Sequence, residues 1–97
     1  MIQRTVLIKF AETTPREQLL EVVDRFKTLQ HKIEGIVEIQ AGLNKSEKSK
    51  EYQVVLMVRF ENQQAVDAYT VHAEHQAVVA FIGEAGRLDS IGADIDI

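Results

Sequence analysis

An antiparallel α+β fold of the ferredoxin-like type, in the order strand, helix, strand, strand, helix, strand, is predicted by three observations. Four segments alternate apolar and polar side chains with the two-residue period of half-buried strands. Two longer segments repeat apolar residues at steps of three and four, as helices that cover a sheet do. Because strand-helix-strand crossovers are right-handed, both helices are expected on the same face of one four-stranded sheet.

The predicted strands are bounded by helical patterns or by polar runs that contain turn-forming residues. Each has at least one face made of apolar side chains, which is the face expected to meet the helices. The predicted strands run over Ile2–Phe10, Ile36–Leu43, Tyr52–Phe60 and Asp89–Ile97. The apolar faces of the first two strands are Ile2, Val6, Ile8 and Phe10, and Val37, Ile39, Ala41 and Leu43.

The first helix is expected to begin with a capping box. In the run Thr14-Pro15-Arg16-Glu17, Thr14 can accept a backbone N–H bond and Glu17 can reach back toward the cap. Gly35 supplies the left-handed residue that commonly ends a helix. The apolar residues between these points are Leu19, Val22, Val23, Phe26, Leu29 and Ile33.

The second helical segment is expected to begin at Asn62, whose side chain can cap it, and to continue or bend near His72. Gly83 and Gly86 follow the last apolar positions, so we expect the helix to close there. The final strand should then complete the sheet.

The third predicted strand is apolar on both faces, which distinguishes it from the others. A lone sheet with helices on one side would leave its second face in water, so a strand of this kind indicates another covering surface. A second copy of the chain is the simplest source, and it predicts a homodimeric α+β barrel built from two stacked sheets. One face carries Val54, Leu56, Val58 and Phe60, and the other carries Val55 and Met57.

Composition narrows the class of protein. The 97 residues suit one domain over residues 1–97, with no cysteine for disulfides or sulfur-ligated metals. A net charge of −4 offers no general basic surface for nucleic acid. Charged residues interrupt every apolar segment before membrane-spanning length, so we expect no membrane partner, and a cytoplasmic location fits the absence of cysteine.

One cluster of chemically capable residues stands out: Tyr69, His72 and His75 in the second helical segment. Their three- and six-residue spacings place them toward one side if the backbone stays helical. One interpretation is structural, with one histidine bonding a backbone carbonyl at the bend and the other groups reaching water. A second is acid-base chemistry, and a third is a metal site, which lacks the further ligands that most such sites need.

Across essentially its whole length the chain resembles the stress-responsive A/B barrel family. The most specific of the shared motifs is the tyrosine-to-histidine run of the second helical segment. The motifs that carry the resemblance are Val6–Phe10, Ile33–Gly35 leading to Gly42, Tyr52–Phe60 followed by Glu61, and Tyr69–His75.

The resemblance implies a homodimeric α+β barrel and offers candidate roles for two residues. A plant polyketide cyclase on this fold uses a tyrosine and a histidine as an acid-base pair, and by motif these roles would fall on Tyr69 and His75. The chain departs from the pattern where the family often has a histidine, at Arg4, and where the cyclase has a histidine, at Val54. These changes favour a more apolar pocket.

Family proline positions carry Glu34 and Ala73 here. Some relatives hold magnesium through backbone carbonyls after the first helix, and the resemblance would place these on Gln30, Ile33 and Ile36. We predict no metal site made of side chains and no cofactor.

Three functions remain open at this point. The first is a homodimeric protein that binds a small hydrophobic or aromatic ligand near Tyr69, His72 and His75. The second is a cofactor-independent enzyme of the cyclase or lyase type, with His75 as base and Tyr69 as hydrogen-bond donor. The third is a small monooxygenase acting on aromatic substrates or on haem. Whether any reaction is catalysed, and on what substrate, is left open by the sequence.

Overall fold

A computed structural model describes all residues from 1 to 97. It contains four strands and three α-helices, with a short 3₁₀ turn after the first helix and another in the loop before the third strand. The elements are β1 (Ile2–Phe10), α1 (Arg16–Thr28), β2 (Ile36–Leu43), β3 (Val54–Phe60), α2 (Gln63–Val71), α3 (Ala73–Glu84) and β4 (Arg87–Asp96).

The four strands form one antiparallel sheet in the order β2-β3-β1-β4. Each crossover through helices joins two strands that have one other strand between them in the sheet, β3 between β1 and β2 and β1 between β3 and β4, which is the ferredoxin-like arrangement. The predicted fold class is therefore confirmed, with the second helical segment divided into α2 and α3.

The core lies between the helices and one face of the sheet. On β3 the side chains of Val54, Leu56, Val58 and Phe60 are all nearly inaccessible to solvent. They meet residues of all three helices in a single cluster of 19 buried side chains. None of the 19 is charged, so the covered face is held by apolar packing.

The predicted capping box of the first helix is wrong. Thr14 does not cap α1, because its hydroxyl donates a hydrogen bond of 2.6 Å to the Ala85 carbonyl at the end of α3. Pro15 precedes the first helical residue and no side chain caps that end. Thr14 instead ties the β1–α1 connection to the turn before β4.

The first helix also ends before the glycine that was expected to end it. Regular α-helix stops at Thr28 and a 3₁₀ turn follows. Gly35 does adopt a left-handed φ of +92°, and a Cβ there would come within 2.6 Å of the Ala65 Cβ. Gly35 is therefore needed for the tight turn into β2 and for the close approach of α2, not for the helix end.

Val37 does not belong to the apolar face of β2. The pairing of β2 with β3 shifts by one residue between Ile36 and Glu38, which is a β-bulge, and Val37 is 40% exposed. Ile36 packs against the core in its place. Three other strand limits also differ from the prediction, since β3 begins at Val54 and β4 runs from Arg87 to Asp96.

The second face of the sheet has no cover within the chain. Val55 and Met57 of β3 are half-buried there, and Ile91 and Ile95 of β4 are 50% and 59% exposed. The strand register places these side chains on the face opposite Val54 and Leu56. We call this surface the open face. No helix in the structure has the length and apolar character needed to cross a membrane.

Candidate functional site

A cavity of about 160 Å³ opens between the sheet and the helices on the covered face. Its walls are mostly apolar, and the polar side chains that reach it come from β1, α3, β4 and the single tyrosine of α2. The lining residues are Arg4, Val6, Ile8, Phe26, Leu56, Tyr69, His75, Val79, Ile82, Arg87 and Ser90.

Tyr69 is the most deeply placed polar residue of the cavity. Its side chain lies on the buried face of α2 and is only 2% exposed, with its ring edge-on to Phe60 at 5.1 Å between centroids. No protein group hydrogen-bonds the hydroxyl, although the oxygen is not sealed from the cavity. Burial raises the pKa of Tyr69 to about 12, against the opposing charge of Arg4, so the phenol stays protonated and can donate a hydrogen bond.

His75 is carried into the cavity by the bend between α2 and α3. Its ring lies 4.1 Å from the Tyr69 ring, centroid to centroid, and Nδ1 is 3.3 Å from the Thr70 carbonyl oxygen. A carbonyl can only accept, so the Nδ1 proton is donated to it and Nε2 keeps its lone pair in the neutral ring. Burial lowers the pKa of His75, the Thr70 carbonyl opposes that shift, and Arg4 adds to it.

Together these two side chains provide a neutral base and a protonated donor in one apolar cavity. Because the pKa values of Tyr69 and His75 are moved apart, each residue stays at neutral pH in the protonation state that its predicted role requires. The pair can therefore hold a carbonyl oxygen and accept a proton, or hydrogen-bond a ligand without reaction.

His72 stands apart from the cavity. It ends α2 in an extended conformation and caps α3, with its Nδ1 accepting a hydrogen bond of 3.0 Å from the Glu74 N–H. It is not among the lining residues, so the helical spacing that grouped it with Tyr69 and His75 fails at the bend. His72 therefore has a structural role, but not the one the sequence suggested, since it accepts a bond from a backbone N–H and His75 is the histidine that bonds a backbone carbonyl at the bend.

Arg4 lines the cavity, although in the sequence it stood out only as a departure from the family pattern and not as a candidate site residue. Its guanidinium forms a two-point ion pair with Asp94 of β4, at 2.8 and 3.0 Å. The bond to Asp94 raises the pKa of Arg4 and lowers that of Asp94. Arg4 shares the covered face of β1 with Val6 and Ile8. A charged residue in an apolar register was the signal that could have found it.

Arg87 and Ser90 of β4 were missed as well. Arg87 precedes the alternating segment by which the last strand was recognised, and Ser90 is a polar residue within it. Nothing in their local sequence marks them as lining a cavity. Only the pairing of β4 with β1 places them there.

No three acidic or histidine side chains come together as a metal site would require. The backbone carbonyls of Gln30, Ile33 and Ile36 lie around the turn that leads from α1 into β2, where Gln30 Oε1 also accepts a bond of 3.0 Å from the Ile39 N–H. Magnesium binding by these carbonyls stays a prediction.

Solved structures with the same fold cover nearly the whole chain. A dimeric protein of unknown function with a ferredoxin-like fold from Bacteroides fragilis is 28% identical, with a TM-score of 0.81, over 99% of this chain and 95% of that one. A Dabb family protein from Mesorhizobium loti is 19% identical, with a TM-score of 0.80, over 99% and 95%. A hydroxynitrile lyase from Passiflora edulis is 9% identical, with a TM-score of 0.82, over 99% and 92%.

Similarity at the level of sequence is clearest for the family as a whole. No curated protein sequence matches the chain. The sequence model of the stress-responsive A/B barrel domain, Dabb, matches residues 2–94, which include all four strands and all three helices except the last residues of β4. The chain therefore belongs to the stress-responsive A/B barrel domain family.

Proposed function

We propose that the protein is a homodimer that binds a small hydrophobic or aromatic molecule in the cavity of each chain. The observation that carries this is the cavity itself, an apolar space into which the unbonded Tyr69 hydroxyl and the His75 ring both reach. Concave apolar sites with a few convergent polar groups are the usual form of small-ligand sites.

The volume indicates the size of the ligand. A cavity of roughly 150 Å³ accommodates a benzene-sized molecule, and the present one is about 160 Å³. It is smaller than the roughly 300 to 1,000 Å³ of pockets for drug-sized ligands. A single-ring compound fits this space, and the volume weighs against haem as the ligand.

The open face supports the homodimer. Several apolar side chains there have no cover within one chain, and Arg59 Nε, on the same face, is buried without a hydrogen-bond partner. A second copy would cover the apolar groups by the face-to-face packing that sheets favour. The similar protein from Bacteroides fragilis is described as dimeric, which supports a dimer here as well.

Native mass spectrometry of freshly purified protein tests ligand binding directly. We expect a species of twice the 11.0 kDa chain that carries or takes up a single-ring compound from a mixed panel. Val79→Trp fills the cavity and should abolish uptake, with Val79→Phe as a milder second variant. Val71→Trp is the matched control, because Val71 is 77% exposed on the neighbouring helix. Uptake by Val79→Trp equal to that of the control would contradict the proposal.

A second candidate function rests on the two shifted pKa values. His75 Nε2 can remove a proton from a carbon next to a carbonyl while the Tyr69 hydroxyl donates a hydrogen bond to the developing enolate oxygen. No cofactor is required for that step. This is the chemistry of a cyclase or lyase type of enzyme.

Deuterium exchange of the methyl protons of acetophenone in D₂O, followed by proton NMR, tests this second candidate. If it is correct, exchange is faster with the protein than with buffer, and His75→Ala slows it by about 10²-fold or more. Tyr69→Phe should slow it by about 10²-fold. If acetophenone is shown to be bound but exchanges at the buffer rate, the enzymatic function is contradicted and only the binding function remains.

A further inference from the structure

The charges around the cavity are all of one sign, although the chain as a whole carries a net charge of −4. Arg4 and Arg87 line the cavity, and no aspartate or glutamate does. The carboxylate of Asp94 lies in an outer cleft that shares Arg4, Val6 and Ser90 with the cavity, and it is already engaged at two points by Arg4. An excess of positive charge is therefore left at the cavity wall.

Arg87 is the arginine of the cavity wall that has N–H donors left to bind a ligand. It makes no ion pair with any carboxylate, unlike Arg4. Its Nη1 donates a hydrogen bond of 3.2 Å to the Oγ of Ser90, and Ser90 also lines the cavity. Because Ser90 Oγ accepts from Arg87, the serine proton remains available to donate to another group. Arg87 and Ser90 thus present several donors at one place on the wall, with no carboxylate beside them.

The rest of the cavity wall determines the size and polarity of the remainder of the ligand. Aliphatic and aromatic side chains, among them Phe26, Leu56 and Ile82, leave room for one ring. The other polar groups of the wall, Tyr69 and His75, carry no net charge at neutral pH. Donors grouped at one place beside an apolar space favour a molecule with an apolar body and one anionic end, since carboxylates accept only and pair well with a guanidinium.

We propose that the ligand is a small aromatic or aliphatic carboxylic acid, bound as its anion, and that Arg87 with Ser90 recognises the carboxylate. This inference rests on the proposed ligand-binding function and specifies its ligand class. Arg87 acts as the specificity-determining residue, whereas Arg4 is held by Asp94 and shapes the wall beside it. Tyr69 remains free to contact the ring or a substituent on it.

A comparison of benzoate with benzamide tests the proposal, because the two molecules have nearly the same shape and differ in charge. Binding is followed by ¹H–¹⁵N correlation spectra, with shifts at Tyr69, His75 and Ser90 reporting occupancy of the cavity. We expect benzoate to bind at least about tenfold more tightly than benzamide. Arg87→Gln should remove that preference by weakening benzoate alone, since a hydrogen bond to a charged group typically contributes a factor of ten or more.

Matched variants separate local recognition from overall charge. Arg16→Gln removes the same charge from an exposed position at the start of α1 and should leave the preference for benzoate intact. Ser90→Ala should weaken benzoate by a smaller factor than Arg87→Gln does. Loss of the preference in Arg16→Gln to the same degree as in Arg87→Gln would overturn the assignment of Arg87.

The outcomes also distinguish this inference from the function on which it rests. Equal binding of benzoate and benzamide in the cavity would overturn the carboxylate preference and leave small-ligand binding standing. If neither compound at millimolar concentration changes the NMR shifts of the cavity residues, the carboxylate preference and small-ligand binding are both overturned, because the cavity would then admit no single-ring ligand.

Discussion

The two faces of the sheet are built from the same strands but differ in what covers them. On β3, Val54 is fully buried under the helices, while its neighbour Val55 points to the open face and is only half-buried. On the covered face the apolar side chains form one buried cluster, with a small cavity beside it. On the open face apolar side chains of β3 and β4 lie without any cover from their own chain.

The difference between the two faces suits them to different functions, ligand binding on the covered face and association on the open face. A packed face can hold a shaped cavity, because the surrounding side chains are fixed by their neighbours. An uncovered apolar face is suited to association, because burial of that surface against a partner is favourable. We therefore expect changes on the covered face to alter stability and ligand binding, and changes on the open face to alter the number of chains in the assembly.

The largest expected effect is the loss of the dimer on introducing charge into the open face. Met57→Glu places one carboxylate from each copy into the interface, where an unpaired charge is costly and the two-fold arrangement doubles the cost. Sedimentation velocity should report a monomer. Leu20→Glu, at a 45% exposed position on α1, is the control and should leave the dimer intact. A dimeric Met57→Glu would place the contact elsewhere.

A pair of identical substitutions on adjacent residues sharpens the comparison. In the Met57→Glu background, Val54→Ala should lower the free energy of unfolding by about 2 kcal/mol, because it removes buried methyl groups and leaves a space behind. Val55→Ala should cost less than about 1 kcal/mol in the same background. Urea unfolding measures both. Equal costs would show that the two faces are packed alike.

The next effect concerns His72, the residue that caps α3. His72→Ala removes the side-chain cap of α3 and should cost about 1 kcal/mol of stability. His72→Asn keeps an acceptor at the cap and should stay close to the wild type. Both variants should retain ligand binding, since His72 does not line the cavity. Loss of binding in His72→Asn, with stability retained, would give His72 a direct role.

The smallest expected effect is a pH dependence that arises from the cavity. The pKa of His75 is lower in the folded protein than the usual 6.5, so the unfolded chain binds more protons between the two values. The stability that neutral His75 contributes is complete above pH 6.5 and is lost as pH falls through the folded value. Unfolding by urea at pH 7 and pH 5 should show a smaller loss for His75→Gln than for the wild type. An equal or larger loss would contradict the lowered pKa.

Much of the fold follows from the sequence because it depends on periodicity. The order of the elements and the two apolar faces of β3 were predicted from apolar spacing and caps, and a bend near His72 was one of the two alternatives left open there. The failures lie where a tertiary contact overrides a local rule. Thr14 bonds the far end of α3 instead of its own helix, and the bulge after Ile36 turns Val37 out of the core.

The site was predicted less completely than the fold. The spacing of Tyr69 and His75 survives the bend and brings their rings together, but the same bend takes His72 away. Arg4 and Arg87 reach the cavity through the pairing of β1 with β4, strands that are far apart in the chain. Arg4 stands out in the sequence as a charged residue in an apolar register, but local sequence contains no signal for the pairing of the two strands. That Arg4 and Arg87 line the same cavity could be found only from the three-dimensional arrangement.

The most direct test of the division between the faces is a native mass spectrum of the wild type and of Met57→Glu, each with a saturating single-ring ligand. The account predicts a wild-type dimer with two ligands and a Met57→Glu monomer with one, since the residues that line the cavity belong to the helices and the covered face, away from the open face. A wild-type monomer, or a folded Met57→Glu monomer that binds no ligand while the dimer does, would contradict it.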